Sequence, residues 1–129
     1  MKDEIHYSDL NASFLCEAFP ELESEIRRID AELGEQLPHC LFGDLFNPLM
    51  VRLLKSPEQE DALLARRIFD FYERLAEYGD EETRNLLQVT LLEYLWDDYE
   101  VYSRASEMMG EKTRLINQMI GSYLRKPIK

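Results

Sequence analysis

Apolar positions along this chain recur at helical rather than alternating spacing, and Pro, Gly, Asn and Asp divide them into six or seven amphipathic segments. A first helix is predicted from a Ser8 cap, with Leu10, Phe14, Leu15 and Ala18 on its apolar side and Phe19-Pro20 at its end. Pro20 suits the opening turn of a second helix, where Leu22, Ile26, Ile29 and Leu33 make one narrow stripe among charges and Gly34 supplies a left-handed closing residue. After a connector over 35–39, the run 40–55 is the most apolar of the N-terminal half. An interior proline costs about 3 kcal/mol in a helix, so Pro48 predicts either a kink or a restart there; Asn47 as cap favours the restart, with Leu49, Leu53 and Leu54 on the buried side.

Ser56-Pro57-Glu58-Gln59 reads as a capping box that starts a long helix with Leu64, Ile68, Phe71, Tyr72 and Leu75 inward. Arg66, Asp70 and Arg74 stand four apart on another face of it, where opposite charges can pair. Gly79 stops this helix and Asp80 caps the next, so Tyr78-Gly79-Asp80 punctuates an α-hairpin. From Leu86 to Trp96 apolar side chains project in nearly every direction at 100° steps, which predicts a central helix wrapped by the others. Asp97-Asp98 breaks the pattern ahead of a shorter helix that Gly110 ends. The last helix is expected to turn Leu115, Ile116, Met119, Ile120, Tyr123 and Leu124 inward and to close on Arg125-Lys126, the right sign for its C-terminal dipole. Phe71-Tyr72-Glu73-Arg74-Leu75 and Leu91-Leu92-Glu93-Tyr94-Leu95 repeat an apolar-apolar-Glu-x-Leu phrase one helix apart. The expectation is a single-domain all-α bundle over 1–129 with HEAT-like antiparallel hairpins.

Composition narrows the function classes. The 129 residues are 45% hydrophobic, enough for one core and too apolar for a disordered chain. Acids outnumber bases 26 to 15, a net charge of −11 that repels nucleic-acid phosphates and favours basic partners. No run approaches the roughly 18–20 apolar residues that span a bilayer, and Met1-Lys2-Asp3-Glu4 has no secretory character, so a cytoplasmic protein is expected. Cys16 and Cys40 are then expected to be reduced and buried.

Chemistry is harder to find. The spacing of Cys16, His39 and Cys40 fits no compact zinc pattern, there is no Glu-x-x-His pair for a di-iron site, and no phosphate loop or nucleophile elbow occurs. No metal and no cofactor is expected. Glu73 and Glu93 are the candidate buried carboxylates: each is either paired structurally or a functional acid with a raised pKa. The aromatics Tyr94, Trp96, Tyr99 and Tyr102 among Asp97, Asp98 and Glu100 form a candidate interface, since aromatic centres with charged rims mark many binding surfaces. The same rings could instead pack the joint between two helices. Acidic runs at Glu21 to Glu35, Glu58 to Asp61 and Asp80 to Glu82 stabilise helix starts and can also steer a basic partner.

The phrases Phe42-Gly43-Asp44-Leu45, Ile68 to Leu75, Gly79-Asp80-Glu81-Glu82 and Leu91 to Leu95 together resemble a family of small, uncharacterised bacterial all-helical proteins. Some of its members resemble immunity proteins, the antidotes to polymorphic toxins. The resemblance implies a non-catalytic protein-binding module whose partner is a basic toxin domain. It brings no active-site residue with it. The alternatives are a small adaptor without a toxin partner and a carboxylate-dependent hydrolase built on Glu73 or Glu93.

Overall fold

The computed structural model describes residues 4–35 and 37–124. Its α-helices in chain order are α1 (Ala12–Ala18), α2 (Glu23–Leu33), α3 (Pro38–Lys55), α4 (Gln59–Tyr78), α5 (Glu81–Leu86), α6 (Tyr99–Met108) and α7 (Glu111–Leu124). This is the expected all-α bundle. Short 3-10 turns precede α1 and α2, and between α5 and α6 the helix continues as a π segment, Leu87–Leu92, and a 3-10 segment, Glu93–Asp97. The predicted closing pair Arg125-Lys126 lies outside the described residues, as does Gln36.

The 86–96 stretch packs against α3, α4, α6 and α7 with Leu86, Leu87, Leu91, Leu92 and Leu95 fully buried, as its all-round apolar pattern predicts, and it shares the centre of the bundle with the pair α3 and α4. α2, α6 and the π segment pack on α3, and α7 packs on α4. Phe71 of α4 is the aromatic hub, with ring centroids 5.3 Å from Phe19, 5.9 Å from Phe46 and 6.0 Å from Phe14. Such separations are those at which aromatic rings attract beyond simple burial. They join α1 and Phe19, the residue that follows its last turn, to both central helices.

Pro48 sits inside an uninterrupted α3, so the predicted restart does not occur. Seven buried apolar side chains in this helix, from Leu41 to Leu54, outweigh the proline's cost. Pro48 itself lies on the exposed side, where the Asp44 carbonyl it leaves without an amide can meet water. Asn47 does not cap: its Nδ2 donates to the Thr90 carbonyl at 3.0 Å. Other ends shift as well. Asn11 rather than Ser8 caps α1, accepting from the Phe14 amide. The α4 helix begins at Gln59, and Ser56 Oγ accepts from Glu58 N and donates to Asp61 instead of completing a capping box. No ion pair joins Arg66, Asp70 and Arg74; the arginine that pairs is Arg67, with Glu21 of the turn before α2. Gly34, at φ 78°, closes α2 as predicted.

The 87–92 winding explains why apolar residues there point everywhere at 100° steps. A π turn bonds residue i to i+5, so Leu86 stacks over Leu91 and Leu87 over Leu92. All four are fully buried, while Val89 is left exposed. The second apolar-apolar-Glu-x-Leu phrase therefore crosses from π into 3-10 geometry, whereas the first lies in regular α-helix.

The N-terminal segment is tied to the α4–α5 corner by backbone. Ile5 donates to the Tyr78 carbonyl and accepts from Asp80 N, both at 2.9 Å, in one isolated parallel bridge across Gly79. Asp80 adds side-chain bonds, accepting from Thr83 N as the α5 cap and from Tyr7 N. These donors outweigh the burial that alone would raise its pKa, and hold the carboxyl below its ordinary value.

Candidate protein-docking face

The aromatic and acidic group from Tyr94 to Tyr102 is mostly the packing of a joint. Trp96 and Tyr102 lie 4.5 Å apart by centroid, and buried Asn117 of α7 ties them together: its Oδ1 accepts from Trp96 Nε1 and its Nδ2 donates to Tyr102 Oη, both at 3.0 Å. Tyr94 donates to the Asn47 carbonyl at 3.3 Å, and burial pushes its pKa well up. Asp98 caps α6 through Val101 N and pairs with Lys55 at 2.9 Å. Glu100 reaches Arg104 along the same helix. Asp97 is exposed without a partner among the described residues, and Tyr99 is 85% exposed. Of the seven candidate interface residues these two alone remain free for a partner. Asn117→Ala is expected to lower stability by about 1–2 kcal/mol, since it strips the bonds from both rings. Urea denaturation checks this, and a loss below about 0.3 kcal/mol would mean the network holds nothing.

Neither candidate carboxylate is buried; both are half-exposed and engaged. Glu73 reaches from α4 to the start of α7, where Oε2 accepts from Lys112 N at 2.9 Å and Oε1 from Thr113 N and Oγ1 at 3.0 and 2.8 Å. It is a cap supplied by another helix. Partial burial would raise its pKa, but these donors prevail and hold it below the ordinary value. Glu93 accepts from the Tyr123 hydroxyl. The two carboxylates thus serve opposite ends of α7 rather than one cleft.

The surface that remains open is α7 itself. Only Thr113, Ile116, Asn117 and Ile120 of this helix are buried. Leu115, Met119 and Tyr123, expected to face inward, are 54%, 53% and 48% exposed and follow one another at i, i+4 and i+8. The signal was present in the sequence: the apolar residues of α7 span roughly 180° of its circumference, more than one packing contact covers. Beside this row a groove of about 500 Å³ runs between α5 and α7, with Ile116 and Met119 on its α7 side and Glu81, Glu82, Arg84 and Gln88 opposite. Among the lining residues Glu81 and Glu82 outnumber Arg84, whose guanidinium donates to the Gly79 carbonyl. Tyr123 is fixed in place: its hydroxyl donates to Glu93 and accepts from Gln88 Nε2. Burial and Glu93 both raise its pKa.

Other features gather less. Clefts along α2 and α3 mix Arg28, Glu25, Glu32 and Asp44, and the Arg28 guanidinium is held by Glu25 and Glu32. His39 Nδ1 is hydrogen-bonded to Thr90 Oγ1. Among the described residues no three His, Cys, Asp or Glu side chains converge as a metal cage would require. Cys40 is exposed rather than part of the core, Cys16 is half-buried, and both thiols are free. No described helix is long and apolar enough to cross a membrane. A family model described as a domain of unknown function, DUF7674, matches residues 12–121. No curated protein and no solved structure matches the chain.

Proposed function

The chain belongs to the DUF7674 family, and we propose that it is a protein-binding module whose partner docks on the outward row of α7. The observation that carries this reading is the exposure of Leu115, Met119 and Tyr123 along one helix face. Full burial of such a side chain is worth about 1.5–3 kcal/mol, and half of that is still unrealised at each of the three. The largest apolar patch on a protein surface is often its functional one, and an apolar centre with a charged rim is the anatomy of an interface. Tyr123 adds a pre-positioned aromatic, which lowers the ordering cost of binding.

Charge describes the partner. A net charge of −11 with Glu81 and Glu82 at the groove favours a basic protein. The resemblance to immunity proteins gives this a concrete form, an antidote that covers a basic toxin domain. An adaptor without a toxin differs from it in partner, not in surface. Catalysis by Glu73 or Glu93 is the weaker reading, because the three donors at the start of α7 take up both oxygens of Glu73.

Co-expression with the product of the neighbouring reading frame tests the antidote form. Rescue of host growth and a recovered complex are expected, with the double substitution Leu115→Gln and Met119→Gln weakening the complex by at least about tenfold. Because each side chain is about half buried, the double variant is expected to keep the fold while losing roughly 1–3 kcal/mol, which urea denaturation reads separately from binding. A complex indifferent to both substitutions would overturn the docking face. Absence of toxicity and of a complex would overturn the antidote form.

A further inference from the structure

We infer that the element received by this face is an amphipathic α-helix carrying Lys or Arg beside its apolar row, laid along the groove between α5 and α7; the inference rests on the binding role proposed above. Backbone chemistry argues against strand addition. An extended peptide binds by adding to a sheet edge, and the described residues contain no strand, only the bridge of Ile5 with Gly79, whose hydrogen bonds are already made. Midway along α7 the amides and carbonyls are bonded within the helix, so the face offers side chains alone. A helix meets such a face without leaving its own amides or carbonyls unpaired.

The shape of the row points the same way. Leu115, Met119 and Tyr123 form an i±4 ridge, about 12 Å long at 1.5 Å per residue. Ridges of this kind fit the i±4 grooves of a second helix, the commonest helix-packing class. The groove on the α5 side would take that helix's flank, with Met119 and Ile116 against its apolar positions and Glu81 and Glu82 within reach of cationic side chains. The charge excess argues against a second copy of this chain as occupant, since two faces with the same glutamates would repel.

Two synthetic peptides of identical composition test this, one with Leu at i, i+4 and i+8 and Lys or Arg flanking, the other with the same residues scrambled so that no apolar face forms. In ¹H–¹⁵N spectra of the intact protein the first is expected to shift the amides of 81–88 and 115–123 and to bind at least about tenfold more tightly than the scramble. Met119→Gln is expected to weaken it several-fold, and Glu81→Gln with Glu82→Gln to reduce its salt dependence. Equal binding of the two peptides, no binding of either, or shifts confined to other helices would overturn the inference. If the peptides fail while a co-expressed complex still depends on Leu115 and Met119, the helix falls and the docking face stands; if neither depends on them, both fall.

Discussion

Gly79→Ala will lower the folding free energy by roughly 2–4 kcal/mol, among the largest effects of any single methyl added to this chain. The cause is close approach rather than conformation, because Gly79 has an ordinary φ of −76°. A Cβ there would run into the Leu75 carbonyl and lie 2.6 Å from Thr83 Cγ2, and Thr83 is fully buried. The backbone cannot slide aside, since Ile5 is bonded to Tyr78 on one side and to Asp80 on the other. Any shift that relieved the clash would break the bridge that holds the N-terminal segment. Chemical denaturation measures the loss, and an unchanged midpoint would show that the α4–α5 corner is looser than its geometry.

Glu73→Ala will cost about 2–3 kcal/mol, because it removes a charged acceptor from three donors at the head of α7 and leaves two amides of its first turn without a side-chain partner. The sign with pH follows from the lowered pKa. A carboxyl held below its unfolded value near 4.5 contributes stability that is fully present above that value. The contribution disappears as pH falls through the lower, folded value. The gap between parent and variant should therefore be flat from pH 7 to about 5 and narrow as the solution becomes more acid. A gap that widened toward acid would mean that Glu73 is destabilising as a carboxylate. Gly110 gives an independent check. A Cβ on it would come 2.5 Å from Glu73 Oε1, so Gly110→Ala should disturb the same cap, and the two substitutions together should cost less than their sum.

Local signals in the sequence read well where one residue decides the structure. Gly34 and Gly79 end helices and Asp80 caps one as expected, while Asp98, legible only as a break, proves to be the α6 cap. Signals failed where tertiary packing outvoted them. Pro48 is tolerated because the apolar face of α3 is long enough to carry it, and a helical wheel of fixed 100° steps could not anticipate π winding at 87–92. The site was less legible than the fold. Aromatics among acids suggested a surface near Tyr94 to Tyr102, but whether Trp96 faces solvent depends on Asn117, about twenty residues away in the chain. The breadth of the α7 apolar arc was readable, yet which half of it meets α4 is set by how two helices pack. Glu73 looked like a possible acid because nothing local reveals that the start of α7 lies against it.

The proposed role stands or falls with a partner seated on the outward row of α7. A photo-crosslinking residue placed at position 119, and separately at exposed Leu63 of α4, reports this directly in the co-expressed complex. A crosslink from position 119 that is lost with Leu115→Gln, and none from position 63, is the expected result. A crosslink from position 63 with none from 119 would place the partner elsewhere and contradict the proposed role.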